Sequence, residues 1–150
     1  MKLRTTTPWM PAPDYGRSLA GFGVNLIVRD IARALEFQRE VLGASVVYTD
    51  PDFAVVRGPV RDGSPAEWML HADHTYDRHP LLARVKAASA RGLGVELRVH
   101  GCDPDEAEAH ARRLGYVVLA EAEDKPHGLR EAYLLDADGY CWVPDIALRR

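Results

Sequence analysis

The sequence predicts an α+β fold built from two tandem βαβββ modules. The first observation is a repeat, because residues 23–28 and 94–99 share the pattern Gly-Val-x-Leu-x-Val. The second is that a helix-like segment follows each copy and ends at a Leu-Gly pair, Leu42-Gly43 and Leu114-Gly115. The two copies are offset by about 71 residues at the strand and 72 at the Leu-Gly pair. A strand and helix that recur at a fixed period indicate one supersecondary unit used twice.

The first module reads as a strand, a helix and three further strands. Asp30 is a favourable N-cap, apolar residues recur at helical spacing through Leu42, and Gly43 is a natural terminator. Turn residues at 50–52 and at 58–63 separate the later strands, and the second turn combines Gly58-Pro59 with Asp62-Gly63. Alternation and β-branched residues place the strands at about 22–28, 44–48, 53–57 and 66–71.

The second module repeats this order. Asp103 precedes Pro104, and acidic residues fill the first turn, which together are a strong signal for the start of a helix. A charged loop is expected at 121–129, and the Asp-Ala-Asp-Gly segment at 136–139 predicts a hairpin. The strands are predicted at about 94–99, 116–119, 131–135 and 140–143.

The chain therefore divides into four segments: an N-terminal arm at 1–20, the first module at 21–78, a linker helix at 79–92 and the second module at 93–150. The arm contains three prolines, and Trp9 makes it too apolar for a solvated tail. We expect the arm to pack over its own domain or over a partner subunit.

Composition excludes several classes of function. The net charge of −3 and the absence of a long basic run argue against nucleic acid or a membrane surface as the main partner. No apolar segment is long enough to span a bilayer, and no secretory signal is visible, so a cytoplasmic location is expected. Cys102 and Cys141 are not at metal-ligand spacing and are expected to be free thiols.

Two βαβββ modules in a chain of this length resemble the vicinal oxygen chelate superfamily, which includes glyoxalase I, extradiol dioxygenases, and fosfomycin- and bleomycin-resistance proteins. Residues 28–30 match its Val-x-Asp motif, and residues 37–43 match its Phe-Tyr…Leu-Gly helix, with Gln38 in place of tyrosine. Residues 136–143 match the turn of its last hairpin but not the glutamate that ends it. The resemblance implies a curved mixed sheet that forms a ligand-holding cup, and commonly a homodimer.

The same resemblance implies where a metal would lie. Its enzymes typically chelate one divalent metal through a His or Gln that opens a module's first strand and a Glu on its last strand. The corresponding positions are Gly23, Gly94 and Val143, and we expect Met69 to be the equivalent of Val143 in the first module. Glycine and valine have no donor atom, and a thioether is a poor ligand for Zn, Ni, Mn or Fe. We therefore expect no metal there and no cofactor.

A rival metal site would use His71, His74 and His79, with Asp73 and Asp77 nearby. Histidine is the commonest metal ligand near neutral pH. The spacing matches no tight motif, however, and a loop has little to hold the ligands in place. A polar linker with solvated histidines is the favoured interpretation.

Strand alternation nominates the residues that face the inside of the cup. Arg98 and Glu96 have an equally good structural interpretation, in which they form ion pairs with groups on adjacent strands, and Cys141 is favoured as a small buried residue over a nucleophile. Glu67 and Glu96 favour a cationic ligand, whereas Arg98 opposes one. The candidate ligand-binding residues are Asn25, Tyr48, Phe53, Glu67, Met69, His71, Glu96, Arg98, Tyr133 and Cys141.

The leading hypothesis is a metal-free, homodimeric protein of the glyoxalase/bleomycin-resistance type that binds a small organic molecule and sequesters an antibiotic or toxic metabolite. The alternative is a metal-dependent lyase, isomerase or dioxygenase with relocated ligands, using His71 or Glu67. A third hypothesis is a metal-free enzyme with Glu67 or Glu96 as general base. No residue is assigned a catalytic role.

Overall fold

The computed structural model describes residues 1–59, 63 and 65–149, so Asp62 of the predicted hairpin lies outside the described residues. The helices are α1 (Ala12–Ser18), α2 (Ile31–Glu36), α3 (Leu82–Ala87) and α4 (Pro104–Leu114). The strands are β1 (Asn25–Val28), β2 (Ser45–Thr49), β3 (Phe53–Arg57), β4 (Glu67–Ala72), β5 (Glu96–His100), β6 (Val117–Asp124), β7 (Leu129–Leu135) and β8 (Cys141–Ala147).

Two four-stranded mixed sheets confirm the α+β class and the two βαβββ modules. The strand orders are β1-β4-β3-β2 in the first sheet and β5-β8-β7-β6 in the second. In each sheet the first strand pairs in parallel with the last strand of its module, and the other neighbours are antiparallel. The repeat in the sequence therefore corresponds to a repeat in topology.

The helix of the first module begins as predicted and changes form near its end. The Asp30 side chain accepts a hydrogen bond from the backbone N–H of Arg33, which caps α2. Residues Phe37–Val41 then form a π-helical turn rather than a continuation of the α-helix. The wider turn places Phe37, Gln38 and Val41 all in the interior.

The helix of the second module follows its sequence signals closely. Asp103 accepts hydrogen bonds from the backbone N–H groups of Asp105 and Glu106, and Pro104 occupies the first turn. The helix ends at Gly115, whose φ of 80° lies in the left-handed region.

The helix-facing sides of the two sheets share one hydrophobic core. Phe37 meets Tyr116 edge to face at 5.0 Å between ring centroids, and Trp68 lies 5.3 Å from Trp142. The opposite side of each sheet, here called its outer face, points away from this core.

A second set of contacts ties the end of β1 to the second module. The Arg91 guanidinium and the Tyr140 hydroxyl both donate to the carbonyl of Ile27, at 2.8 and 2.9 Å. Gly92 has a φ of 69°, and a Cβ there would lie 2.4 Å from Cδ1 of Tyr140. This junction therefore requires glycine both for its backbone conformation and for the close approach of the tyrosine ring.

Several predicted bounds were wrong. The expected loop at 121–129 is mostly strand, because β6 continues to Asp124 and β7 begins at Leu129, with a turn only at 125–128. Acidic residues of β6 alternate with alanines, and an edge strand tolerates such polar positions. Strand β8 passes through Pro144 to Ala147, β1 begins at Asn25 rather than Phe22, and the linker helix shrinks to α3.

Proline within a strand normally ends it, because it donates no ladder hydrogen bond. Here the β7–β8 pairing is interrupted between Leu134↔Trp142 and Glu131↔Asp145, and it resumes after Pro144 in the same register. None of the helices that the structure describes is both long and apolar enough to cross a membrane.

Candidate functional site

The N-terminal arm covers the outer face of the first module. The Trp9 indole stacks on the ring of Tyr48 at 4.4 Å with an interplanar angle of 24°, and it lies 6.4 Å from Phe53. Tyr15 meets Phe53 edge to face at 5.8 Å. Of the two destinations expected for the arm, the chain's own first module is the one observed.

A buried carboxylate anchors the start of the arm. Asp52 accepts hydrogen bonds from the backbone N–H groups of Leu3 and Arg4, at 2.7 and 3.1 Å. Its other contact is Nε2 of His74 at 2.7 Å. Burial alone would raise the pKa of Asp52, but these hydrogen bonds outweigh it and hold the pKa below its usual value. Asp52 therefore stays charged and keeps the arm in place at neutral pH.

His71 lies on the same outer face in a mostly apolar setting. Its Nδ1 is 2.5 Å from Oδ1 of Asn25, and its ring is 4.5 Å from Phe53 and 5.0 Å from Tyr76. Burial, with a smaller effect of His79, lowers the pKa of His71 from 6.5 to about 4. The imidazole is thus neutral at pH 7, and Nδ1 donates its proton to the Asn25 oxygen.

The outer face of the second module has an ionic network instead. The Arg98 guanidinium bonds Glu96 at 2.9 Å, Asp145 at 3.2 Å and Glu131. The side chains of Glu131 and Asp145 are only 2% exposed. The Tyr133 hydroxyl donates to Glu131 at 3.0 Å. These contacts pair each buried charge, as stable burial requires.

The hydrogen bonds of this network keep Glu131 and Arg98 in their charged forms. Burial alone would raise the pKa of Glu131, but hydrogen bonds from Arg98, His127 and Tyr133 hold it below the usual value. Burial alone would lower the pKa of Arg98, yet its hydrogen bonds to Glu131 and Glu96 raise it further. Arg98 is therefore committed to carboxylates of its own module and offers little free charge to a ligand.

Two histidines extend this network. Nδ1 of His100 is 2.8 Å from Asp145, and Nε2 of His127 is 3.2 Å from Glu131. The His100 side chain is 72% exposed, although its partner Asp145 is buried.

An open cleft of about 1800 Å³ lies between the end of the arm and both modules. Its polar wall includes Glu67, Glu96 and Arg98, and its apolar wall includes Met69 and Val95. Further lining residues come from the arm, the start of β1, the end of β8 and the turn after β3, and include Tyr15, Leu19, Phe22, Pro59, Leu97 and Ile146.

The structure distributes the ten predicted binding residues over three places. Four line the cleft, namely Glu67, Met69, Glu96 and Arg98. Four lie on the first outer face at or beside the arm, namely Asn25, Tyr48, Phe53 and His71. Two lie on the second outer face, namely Tyr133 and Cys141.

The structure bears on two of the alternatives left open for these residues. Arg98 forms ion pairs with Asp145 of the neighbouring strand β8 and with Glu131 of β7, which is the structural interpretation weighed against a binding role, and it also pairs with Glu96. Burial raises the pKa of the Cys141 thiol, with further effects of Glu96 and Asp136, so the thiolate needed for nucleophilic attack is disfavoured. Glu67 is paired as well, with Nη2 of Arg57 at 2.8 Å.

Sequence reasoning missed the residues that most distinguish the two outer faces. Trp9 and Tyr15 were assigned to an arm of unknown destination, and Glu131 and Asp145 were not singled out. Asp145 has a visible signal in hindsight, because it lies between apolar residues in Trp-Val-Pro-Asp-Ile. Asp145 was not considered because the last strand was expected to end before Pro144.

Strand pairing corrects one position of the metal test. Arg98 pairs with Val143 in the second module, and its repeat equivalent, Ile27, pairs with His71. The first-module equivalent of Val143 is therefore His71, whereas Met69 corresponds to Cys141. The earlier expectation for Met69 was wrong because it assumed a register two residues away.

The residues do not fit the metal that related enzymes hold. Of the four equivalent positions only His71 has a donor, and its Nδ1 already bonds Asn25. The rival histidine segment is dispersed: His74 bonds Asp52, and Asp73 bonds Arg91. Within the described ranges, no group of three or more His, Cys, Asp or Glu side chains is arranged to hold a metal ion.

The family model described as "Glyoxalase/Bleomycin resistance protein/Dioxygenase superfamily" matches residues 22–143. The chain belongs to this superfamily. The match spans both modules and leaves out the N-terminal arm and the end of β8. No curated protein matches the chain at a significant level.

Several solved structures share the fold at low sequence identity. A glyoxalase/bleomycin resistance protein/dioxygenase family enzyme from Burkholderia phytofirmans PsJN is 20% identical, with a TM-score of 0.65 over 83% of this chain and 96% of that one. A glyoxalase-related enzyme from Fulvimarina pelagi is 19% identical, with a TM-score of 0.60 over 85% and 88%. TioX from Micromonospora sp. ML1 is 20% identical, with a TM-score of 0.58 over 87% and 98%.

Proposed function

We propose that this member of the superfamily binds a small organic molecule without a metal. The observation that carries the proposal is the combination of a large cleft between the modules with non-ligating residues at Gly23, Gly94 and Val143. The ligand pockets of proteins usually enclose about 300–1,000 Å³ and are mostly apolar with a few polar anchors. The cleft has that character and is larger because it is open to solvent.

The charge of the cleft favours a ligand that carries an amine. Three carboxylates, those of Glu96, Glu131 and Asp145, surround the guanidinium of Arg98, and Glu67 and Arg149 also line the cleft. The net charge of these groups is negative. Arg98 therefore no longer argues against a cationic ligand, because nearby carboxylates neutralise it. A cationic group placed near Glu96, the exposed member of this set, would gain most.

The proposal is tested with the neutral dye N-phenyl-1-naphthylamine, whose fluorescence rises in an apolar site. Val95→Lys places a charge on the cleft wall, and Val117→Lys is the matched control on β6. The two valines are similarly exposed, at 51% and 56%. We expect Val95→Lys to weaken dye binding about tenfold or more, since an ammonium against an apolar ring costs over ~1.4 kcal/mol. Equal affinity in both variants would remove the cleft assignment.

The metal-dependent alternative is tested by equilibrium dialysis of tag-free protein against Zn²⁺, Ni²⁺, Mn²⁺ and Fe²⁺. We expect no cation to bind at one per chain, because only His71 among the four family positions has a donor atom. Stoichiometric binding that is lost in His71→Gln would instead support an enzyme with relocated ligands. The same dialysis would then direct assays toward lyase, isomerase or dioxygenase chemistry.

We also propose a homodimer that extends the binding surface. Strands β1 and β5 are edge strands of separate sheets, and the segments before them expose Phe22 and Leu93 by 94% and 85%. Large exposed apolar side chains beside open strand edges are typical of an interface. Sedimentation velocity should show a dimer at micromolar concentration, and Leu93→Glu should shift it toward monomer. A wild-type monomer at tens of micromolar would contradict the dimer.

Sequestration of an antibiotic or toxic metabolite is the role proposed for such a binder. Expression in a sensitive bacterial host should then raise the inhibitory concentration of the compound that binds. The Val95→Lys variant should lose this protection in proportion to its loss of affinity. Protection that persists in Val95→Lys would place the role outside the cleft.

A further inference from the structure

The N-terminal arm places an aromatic side chain on a surface built to receive one. Trp9 lies parallel to Tyr48, and Phe53 lies beside both rings at 6.3–6.4 Å between centroids. The Tyr48 ring is held in position because its hydroxyl donates to Asp50 at 2.7 Å. His71, whose ring lies 4.5 Å from Phe53 at an interplanar angle of 47°, continues the same surface. This part of the first outer face is a preorganised aromatic platform with Trp9 on it.

Apart from the ring contacts, the arm is held through its first four residues. Helix α1 buries none of its residues, and Trp9 remains 43% exposed while stacked. The firm polar anchors are two buried carboxylates, since Asp52 binds the backbone of Leu3 and Arg4, and Asp50 pairs with the Arg4 side chain at 3.7 Å. The terminal amino group also donates to the His74 carbonyl and approaches Asp77, which is 81% exposed. An element with so few buried contacts can leave without unfolding the module beneath it.

The same segment connects the platform to the cleft. Tyr15 contacts Phe53 on the platform and also lines the cleft, together with residues 18–23. Release of Trp9 would therefore uncover the platform and also move a wall of the cleft. Both consequences act on the binding surface of the first module.

We propose that the arm is a built-in competitor, in which Trp9 occupies a site for a planar aromatic group and has to leave before such a ligand binds. The proposal rests on the proposed small-molecule binding function and adds a second, gated subsite with a defined ligand chemistry. A planar ring of about the size of indole reproduces the contacts that Trp9 makes with Tyr48 and Phe53. Asp52 sets how often the arm opens, because it holds the backbone at residues 3 and 4.

Indole is the direct probe, since it is the Trp9 side chain without its backbone. Isothermal titration of the full chain should show indole binding at least tenfold more tightly to Trp9→Ala than to the wild type. Trp9→Phe retains a stacking ring and should stay within threefold of the wild type. Equal affinity in wild type and Trp9→Ala, or no binding to a folded Trp9→Ala, would overturn the proposal.

A second pair of variants tests the gate without touching the platform. Asp52→Ala removes the acceptor for Leu3 and Arg4, whereas Asp77→Ala removes only the exposed partner of the terminal amine. Limited trypsin cleavage after Arg17 should be several-fold faster in Asp52→Ala than in Asp77→Ala, and saturating indole should accelerate it in the wild type. Cleavage that indole slows or leaves unchanged would show that the arm does not compete.

The experiments distinguish failure of the proposed cleft function from failure of the gated subsite. Loss of the indole effect with intact N-phenyl-1-naphthylamine binding would overturn the gated subsite and leave the cleft function standing. Loss of dye binding in the wild type, together with tight indole binding to Trp9→Ala, would overturn the cleft and leave the subsite.

Discussion

The two modules share a topology and a sequence repeat, yet their outer faces are built in opposite ways. The first is aromatic and mostly uncharged, and the chain's own arm covers it. The second is ionic, with Arg98 at the centre of three carboxylates. On the helix-facing side the repeat is kept: Leu26 and Val28 recur as Leu97 and Val99.

The outer faces differ between the modules because the two sides of each sheet are under different packing constraints. The helix-facing positions share one core, where packing restricts them to apolar residues of similar volume. The outer positions only have to be compatible with their own neighbours. Thus Ile27 corresponds to Arg98, and the arginine requires the buried partners Glu131 and Asp145, whereas Asp73, the register equivalent of Asp145, pairs with Arg91 instead. Binding properties can change in this fold without disturbing its core.

The largest effect is expected from breaking the ionic face. Arg98→Met leaves Glu131 and Asp145 buried without their cation and should lower the free energy of unfolding by about 3–5 kcal/mol. The equivalent first-module change, Ile27→Val, should cost only about 1 kcal/mol. Urea unfolding followed by circular dichroism measures both values. A cost below about 1 kcal/mol for Arg98→Met would show that the network is not a buried charge cluster.

A rescue variant sharpens that result. Adding Glu131→Gln to Arg98→Met removes one of the orphaned charges and should recover part of the lost stability. Glu131→Gln alone should be destabilising, because Arg98 then loses a partner. Simple additivity of the two single changes would mean that the side chains are not coupled.

The sequence predicted those features of the two modules that depend on neighbouring residues, and it did not predict those that depend on contacts between distant strands. The N-caps Asp30 and Asp103 and the repeated strand pattern act within one turn or strand, so elements and topology followed from them. The ionic network joins three strands, and its members become neighbours only through the register of β5, β7 and β8. No sequence spacing encodes that juxtaposition.

Two other features could not be predicted from local sequence signals, each for a different reason. The position of His71 relative to the metal site depends on the parallel β1–β4 register, in which a shift of two residues keeps the same face and leaves the alternation unchanged. The destination of the arm depends on ring contacts across about 40 residues, between Trp9 and Tyr48. Composition predicted that the arm packs, but not where.

A smaller effect is expected from acidification, and it should belong to the aromatic face. His71 has a folded-state pKa of about 4 against 6.5 ordinarily, so the unfolded chain binds more protons between those values. The contribution of His71 to stability is complete above pH 6.5, declines as the pH falls toward 4, and is flat below that. The total loss is at most about 3 kcal/mol, since one pKa unit corresponds to ~1.4 kcal/mol.

Urea midpoints at several pH values between 7.5 and 4 measure this decline. His71→Gln should flatten the pH dependence relative to the wild type, while the carboxylates contribute equally to both. Parallel curves for the two proteins would show that His71 is not the group that resists protonation.

Removal of the Trp9 ring is expected to have a modest effect on stability. The ring is only partly buried, so Trp9→Ala should cost about 1–2 kcal/mol, mainly from the lost stacking on Tyr48 and Phe53. Thermal unfolding should shift by a few degrees and remain one cooperative transition. A loss above about 4 kcal/mol would mean that the arm is an integral part of the fold, and a gated arm would then be untenable.

The smallest effect is expected from the exposed Arg57–Glu67 pair on the first outer face. Arg57 and Glu67 bond at 2.8 Å like the pairs of Arg98, but both side chains are more than 40% exposed. Water solvates the charges in either state, so Glu67→Gln should change the free energy of unfolding by less than about 1 kcal/mol. Urea unfolding at low and high salt tests this, and the expected cost disappears at high salt. Loss of an arginine–carboxylate pair is expected to cost several kcal/mol at Arg98. A small cost at Arg57–Glu67 would therefore show that burial, rather than pairing itself, accounts for the difference in stability between the two faces.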